Sequence, residues 1–346
     1  GGGGGGGEEL KSLIERSCTS FIIPDGVSEI GENAFYKCGN LTDVVIPNGV
    51  TVIKANAFNY CTSLSDIDIP EGVTTIETGA FSNTGITHVE LPASIEIVAG
   101  IANASLEYIE VSENNPNFSS ISGILYSKDK TSIIIVPSAI VGDIVLPDEL
   151  TSLTTAFRGK NISSITLNNN INSIPASCFR ECYELEHLYF DENLCFSSID
   201  SNAFYSCNKL TGINLKFSGS GTIGMNAFYG CHSITSATLD FSNCTTASFG
   251  RMCFASCRAM EKFYFEGPTF ALSDSMFSSC VNLKTVVLNT PSMVTGRASA
   301  FSSSLIATSE TEGYIYVPDS LVDTYTANSV WSTYASKIKP LSELLA

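Results

Sequence analysis

IPDGVSEIGENAFYKCGNLTDVV (residues 23–45), IPNGVTVIKANAFNYCTSLSDID (46–68) and IPEGVTTIETGAFSNTGITHVE (69–90) state one phrase three times, at lengths of 23, 23 and 22 residues. Its central phenylalanine continues along the chain as Phe35, Phe58, Phe81, Phe157, Phe179, Phe204, Phe228, Phe254, Phe277 and Phe301. Outside the gap between Phe81 and Phe157, successive phenylalanines stand 22 to 26 residues apart. A period of that length carrying L-x-x-V-x-I-P falls in the range of leucine-rich repeats, in which every coil contributes one short strand. The leucine six residues after each phenylalanine (Leu41, Leu64, Leu185, Leu210, Leu283) and the alternating pairs Val44/Ile46, Ile67/Ile69 and Leu188/Phe190 point inward together, because alternate strand residues face opposite sides. A single coil cannot bury that face, but stacked coils share a continuous core. The expected fold is a repeat solenoid, a leucine-rich-repeat right-handed α/β (mostly β) superhelix.

The period divides the chain. Residues 1–7 are all glycine and are set aside as an artefact or as unassigned residues. Residues 8–20 are expected to form an N-terminal cap, with a helical composition from Glu8 to Cys18. Residues 21–111 and 143–312 are expected to be repeats. Between them, 112–142 reads as a hairpin-like insertion, a loop followed by two short strands joined near Lys128-Asp129-Lys130. Residues 313–346 read as a C-terminal cap, with an amphipathic segment from Leu321 to Ile338 to cover the last apolar layer.

Composition narrows the function classes. Hydrophobic residues at 44% and charged residues at 15% describe a folded chain with ample core. Eighteen basic against thirty-five acidic residues, a net charge of -17, disfavour nucleic acid and anionic headgroups as partners. No apolar run reaches the roughly 18 residues of a transmembrane helix.

The coil A-F-x-x-C-x-x-L-x-x-(V/I)-x-(I/L)-P, with NPNFSSISGILYSKDKTSIIIVP (115–137) and YVPDSLVDTYTANSVWSTYASKIKP (316–340), resembles the BspA-like leucine-rich-repeat proteins over roughly residues 20–340. The resemblance implies secretion or surface display and adhesion to host proteins or other cells. It brings no catalytic motif and no cofactor.

Seven of the twelve cysteines (Cys38, Cys61, Cys182, Cys207, Cys231, Cys257, Cys280) follow the repeat phenylalanine by three positions, while Thr84, Lys160 and Ser304 fill that slot elsewhere. Such a ladder is a packing position of small buried thiols, because zinc needs four converging ligands. Cys18, Cys178, Cys195, Cys244 and Cys253 lie off the ladder, with room for one disulfide among them. The three histidines, His88, His187 and His232, sit in no metal or triad phrase, and Gly219-Ser220-Gly221 reads as a widened loop. No metal site is expected; Asp43, Asp66 and Asp68 read as a solvated acidic stripe more readily than as a calcium site.

The outward strand residues are acidic early in the chain (Asp43, Asp66, Asp68, Glu90, Glu110) and neutral or aromatic later (His187, Tyr189, Gly212, Asn214, Ser236, Thr238, Lys262, Tyr264, Thr285, Val287, Tyr314, Tyr316). Tyrosine offers rigid contact area with a polar tip, so His187, Tyr189, Lys262 and Tyr264 are the candidate binding residues; its strand propensity alone is the competing explanation. The expected function is non-catalytic binding of a protein or glycan, host extracellular matrix included, at the cell surface. The alternatives are a structural spacer displaying another module, and an enzyme with a site at the 112–142 insertion.

Overall fold

The computed structural model describes residues 8–10 and 16–346, and the chain divides into two compact units, Gly1–Val141 and Gly142–Ala346. The polyglycine stretch set aside above lies outside the described residues. Both units are β-solenoids whose repeats pair as short parallel strands.

In the N-terminal unit, strands β1 (Glu8–Leu10), β3 (Val27–Ile30), β5 (Val52–Ile53) and β6 (Thr75–Ile76) form one sheet. Strands β2 (Ser20–Ile22) and β4 (Asp43–Val45) pair with each other, as do β7 (His88–Leu91) and β8 (Tyr108–Val111). Register follows the sequence period, with Ile30 beside Ile53 and Ile53 beside Ile76. Residues Glu8–Leu10 pair with β3 as a strand, against the helical composition of that segment. Backbone groups at a solenoid end lack a neighbouring coil, and pairing satisfies them. Near the end of the unit, β9 (Phe118–Ile121), β10 (Ile124–Ser127) and β11 (Ile133–Ile135) make a three-stranded antiparallel sheet. The strand β9 comes from residues that read as loop.

The C-terminal unit opens with a sheet of β12 (Val141–Val145), β13 (Asn161–Thr166) and β15 (His187–Tyr189). An eight-stranded sheet follows in the order β14 (Ser173–Ile174), β16 (Cys195–Ile199), β17 (Gly212–Ile223), β18 (Ser236–Phe249), β19 (Lys262–Glu266), β21 (Thr285–Asn289), β23 (Tyr314–Val317), β24 (Ile338–Pro340). Strands β20 (Ala271–Leu272) and β22 (Thr295–Gly296) pair beside it. Gly219-Ser220-Gly221 is not a loop: it lies inside β17, paired with β18 through Gly219 and Cys244. Two register shifts bend the strand there, and at Gly221 a Cβ would come 2.6 Å from the Phe241 ring.

The Asn-Ala-Phe phrase forms the turn of the coils at Phe35, Phe58, Phe204 and Phe228. Asn33 and Lys37, Asn56 and Tyr60, and Asn202 and Ser206 all take left-handed backbone angles near +60°. Asparagine tolerates that conformation best among residues with a side chain, which explains its place in the phrase. The turns are a third hydrogen-bonded ladder: the Phe35 amide donates to Ala57 O at 2.7 Å, Phe179 to Ala203 O at 2.8 Å and Phe204 to Ala227 O at 2.7 Å. Inside, the rings stack coil on coil. Phe35 to Phe58 is 4.9 Å at 6°, Phe204 to Phe228 5.1 Å at 3°, and Phe228 to Phe254 5.3 Å at 1°.

All twelve cysteines are free. The ladder thiols do more than fill space, because each from Cys61 onward donates to the phenylalanine carbonyl of the preceding phenylalanine-bearing coil. Cys61 Sγ reaches Phe35 O at 3.1 Å, Cys182 reaches Phe157 O at 3.0 Å and Cys207 reaches Phe179 O at 3.1 Å. That carbonyl has a second lone pair left over from its backbone bond, and a weak donor of the right reach satisfies it. Thr84 in the same slot donates instead to its own Phe81 O at 2.8 Å. Burial raises the thiol pKa of Cys61, Cys182, Cys231 and Cys280 to about 12, and lifts those of Cys178, Cys207 and Cys257 well above the ordinary thiol value. A thiolate is the reactive form. A thiol-disulfide reagent at pH 8 is therefore expected to titrate only Cys18, Cys195 and Cys244, the three incompletely buried ones, and all twelve in denaturant. Rapid modification of ladder cysteines in the native protein would show that the coils open.

At the C-terminus, α1 (Leu305–Thr308) precedes β23, α2 (Val322–Ala327) and a 3-10 segment, Trp331–Lys337, follow it, and α3 (Leu341–Leu345) comes after β24. Trp331 and Tyr334 are buried against the last phenylalanine, Phe301, and Tyr325 of α2 is buried against Trp331.

Candidate functional site

Strand pairing in the C-terminal unit converts the sequence period into rows. Gly212, Ser236, Lys262, Thr285 and Tyr314 align across β17, β18, β19, β21 and β23, and Asn214, Thr238, Tyr264, Val287 and Tyr316 form a second row. A third row holds Lys216, Asp240, Glu266 and Asn289. Between them Ile213, Ala237, Phe263, Val286 and Ile315 are buried, so the three rows share the outward face. On β15, His187 and Tyr189 sit beside Ser164 and Thr166 of β13.

Lys262 and Tyr264 therefore lie on this outward face, while His187 and Tyr189 are exposed on β15, in a separate sheet of the same unit. Tyr189 is 51% exposed, and its ring lies 5.5 Å from that of His187. The His187 Nε2 stands 3.8 Å from Glu186. Lys262 is exposed, whereas Tyr264 is half-buried.

Two recesses lie in this face. One of about 380 Å³ opens between β15 and β17, lined by Leu188, Phe190, Gly212, Asn214, Ser236 and Thr238. The other, of about 440 Å³, shares Asn214 and Thr238 with it and runs past Tyr264 and Val287 to Leu341, Leu344 and Leu345 of α3. The strand pattern places Val287 outward and wet, but it is only 6% exposed. It lines the recess together with Leu341, Leu344 and Leu345 of α3, a segment remote in sequence. Tyr316, in the same row, has its phenol pKa raised first by burial and then by the nearby Glu343 carboxylate of α3.

The N-terminal unit carries a different recess, of about 530 Å³, walled by Asp68, Glu71, Glu90, Glu110 and Glu113. Glu90 and Glu110 are direct neighbours across β7 and β8, an arrangement that like charges disfavour. His88 stacks on Tyr108 at 4.8 Å just beside them. Among the described residues no three His, Cys, Asp or Glu side chains are grouped to hold a metal ion. In the antiparallel sheet, Asp129 accepts from the Thr131 and Ser127 hydroxyls, which hold its carboxyl below the usual range. It caps an exposed turn, and none of the three recesses is lined by β9, β10 or β11.

Sequence reasoning passed over a second aromatic row. Tyr205 and Tyr229 follow their repeat phenylalanines directly and stack at 5.0 Å and 10°, with the Arg180 guanidinium 4.6 Å from the Tyr205 ring. The signal was available as the residue after each Phe. The α3 leucines carry no periodic signal that ties them to the strand face.

A family model for BspA type leucine rich repeat regions matches the chain in six copies, over residues 15–110, 138–221 and 197–316. No curated protein sequence matches significantly. Among solved structures, a leucine-rich repeat protein from Eubacterium ventriosum is similar at 21% identity, covering 86% of each chain with a TM-score of 0.46. The pneumococcal vaccine antigen PcpA is similar at 18% identity, over 93% of this chain and 78% of that one, with a TM-score of 0.48. A leucine rich cell surface protein from Faecalibacterium prausnitzii is 24% identical over 72% of this chain and 79% of its own, with a TM-score of 0.41. No helix among the described residues is long and apolar enough to cross a membrane.

Proposed function

The chain belongs to the BspA-type leucine-rich-repeat family, and on that premise we propose that it is a non-catalytic binding module of the bacterial cell surface. Its ligand is a protein or glycan, of the host matrix or of another cell, held on the outward strand face of the C-terminal unit. The observation that carries this reading is the pair of adjoining recesses in that face, with half-buried Tyr264 in the wall of one and exposed Tyr189 on the strand that borders the other. Aromatic rings in partly desolvated recesses contribute most of the affinity at many interfaces, with little conformational entropy to lose. Asn214, Thr238 and Asn289 supply neutral donors and acceptors along the same wall. Lys262 places a positive charge on this face of a chain whose net charge is -17, which locally offsets the repulsion of an acidic ligand.

The test is capture of a panel of extracellular-matrix proteins and glycans by the purified chain and by its Tyr189→Ser/Tyr264→Ser variant. Saturable binding to at least one panel member is expected, weakened tenfold or more in the variant while the circular dichroism spectrum is unchanged. Binding that survives both substitutions would remove the strand face from the reading. Silence across the panel would shift the reading to a spacer.

A further inference from the structure

Resting on the reading of the outward face as the binding face, we propose that the recess beside α3 takes an extended peptide segment of a protein ligand in preference to a glycan. An apolar side chain of that segment enters the recess, a basic residue lies toward Asp240 and Glu266, and an acidic residue lies toward Lys262. The lining divides by chemistry. Val287, Leu341, Leu344 and Leu345 give it aliphatic surface, and Asp240 and Glu266 give it carboxylates, around about 440 Å³ of open space. A volume of that size lies in the range of ordinary ligand pockets.

Aliphatic surface offers a sugar hydroxyl no hydrogen-bond partner, so a hydroxyl pressed against it gives up water for nothing. An acidic glycan meets the carboxylates as well. Asp240 and Glu266 are direct neighbours across β18 and β19, an arrangement that like charges disfavour and that a ligand cation between them relieves. Asp240 is held in place by the Ser242 amide, which donates to it at 2.9 Å. Glu266 is exposed and, among the described residues, has no side-chain hydrogen bond or ion pair; the same holds for Lys262. Lys216, beside Asp240 in the same row, makes no ion pair with either carboxylate. The charge reverses along β19, whose outward residues are Lys262, Tyr264 and Glu266, so the two signs stand about 13 Å apart at the usual rise of a strand. An extended segment of five residues has the same span, and its first, third and fifth side chains face the same way. With its ends at Lys262 and Glu266, its middle side chain falls over Tyr264 and its register neighbour Val287.

The probes are the end-blocked pentapeptide Asp-Ser-Leu-Ser-Lys, its forms with serine for leucine and with aspartate for lysine, and heparin-derived and chitin-derived tetrasaccharides. Each is titrated to millimolar concentration and followed by ligand-observed NMR line broadening, against the full chain, its Lys262→Glu and Glu266→Lys variants, and the variant carrying both exchanges. Both side chains are exposed, so the exchanges leave the core untouched. Saturable uptake of the parent peptide by the full chain is expected, weakened by about tenfold or more when serine replaces its leucine. Each single exchange is expected to weaken it by about threefold or more. The double exchange is expected to restore it, because the two charges trade places and the peptide can lie in either direction along the strand. The form with aspartate for lysine is expected to prefer the Glu266→Lys variant. No uptake by the full chain, uptake indifferent to both charges, or tighter binding of either tetrasaccharide would overturn the proposal. The matrix panel reads independently: a panel glycan held through Tyr189 and Tyr264 with the peptides silent removes the peptide assignment and leaves the binding face. Peptide uptake restored by the double exchange, with a silent panel, keeps this site and removes the adhesive chemistry.

Discussion

Replacing Phe228 by alanine is expected to lower the stability of the C-terminal unit by about 3–5 kcal/mol, the range for deleting a fully buried aromatic side chain. The ring is 1% exposed and lies face to face with Phe204 on one side and Phe254 on the other, at 5.1 and 5.3 Å. Its removal opens a gap in two coil interfaces at once, and neither neighbour can move to close it without leaving its own stack. Solenoid stability is close to a sum of coil terms and nearest-neighbour interfaces, so the loss concentrates on these two boundaries. Guanidinium denaturation followed by circular dichroism measures the change. The single tryptophan, Trp331, lies in the cap and reports whether unfolding reaches the C-terminus in the same transition. A loss below about 0.5 kcal/mol, the size expected for a surface position, would show that the phenylalanine stack is not a structural spine.

Trp331→Ala is expected to cost a similar amount, by a different route. Three side chains from the segment after β23 bond to the backbone of residues 294–298. The Trp331 indole donates to Val294 O at 2.8 Å, the Val294 amide donates to the Tyr325 hydroxyl at 2.8 Å, and the Tyr334 hydroxyl donates to Ala298 O at 2.8 Å. Val294 is fully buried, so losing either partner leaves a polar group without water. Trp331→Ala removes the ring and the donor together and is expected to destabilise by about 3–5 kcal/mol. Trp331→Phe, which keeps most of the ring, should cost about 1–3 kcal/mol as the share of the hydrogen bond. Hydrogen exchange localises the effect: amides of residues 294–301 should lose protection before those around Phe204. Uniform loss of protection along the unit would mean that the cap does not act as a local end-piece.

The parts of the fold that repeat were legible in the sequence. The phenylalanine spacing, the inward leucines and the cysteine slot each recur at one period, and a period is visible without knowing what touches what. The buried role of Cys61 or Cys207 was readable, but its bond to a carbonyl of the preceding coil was not, because that depends on the carbonyl's second lone pair facing the slot. Gly219-Ser220-Gly221 misled for a related reason: three small residues suggest freedom, while the actual constraint is the lack of room beside Phe241.

The site was legible in the same measure. Alternation along β15 and β19 placed His187, Tyr189, Lys262 and Tyr264 outward; His187, Tyr189 and Lys262 are exposed and Tyr264 is half-buried. Alternation also placed Val287 outward in water. It failed there because Val287 is only 6% exposed and lines a recess whose other wall includes α3, which has no counterpart in the repeat. The recess that distinguishes Tyr264 from an ordinary strand tyrosine thus exists only once the cap has folded back.

The central claim is that ligand is held on the outward face of the C-terminal unit, and hydroxyl-radical footprinting tests it most directly. The chain is oxidised alone and with the matrix-panel member that binds it most tightly, and the tyrosines are compared by mass spectrometry. Tyr189 and Tyr264 are expected to be protected while Tyr205 and Tyr229 on the turns react as before. Protection confined to Tyr205 and Tyr229, or to the acidic recess beside Tyr108, would contradict it.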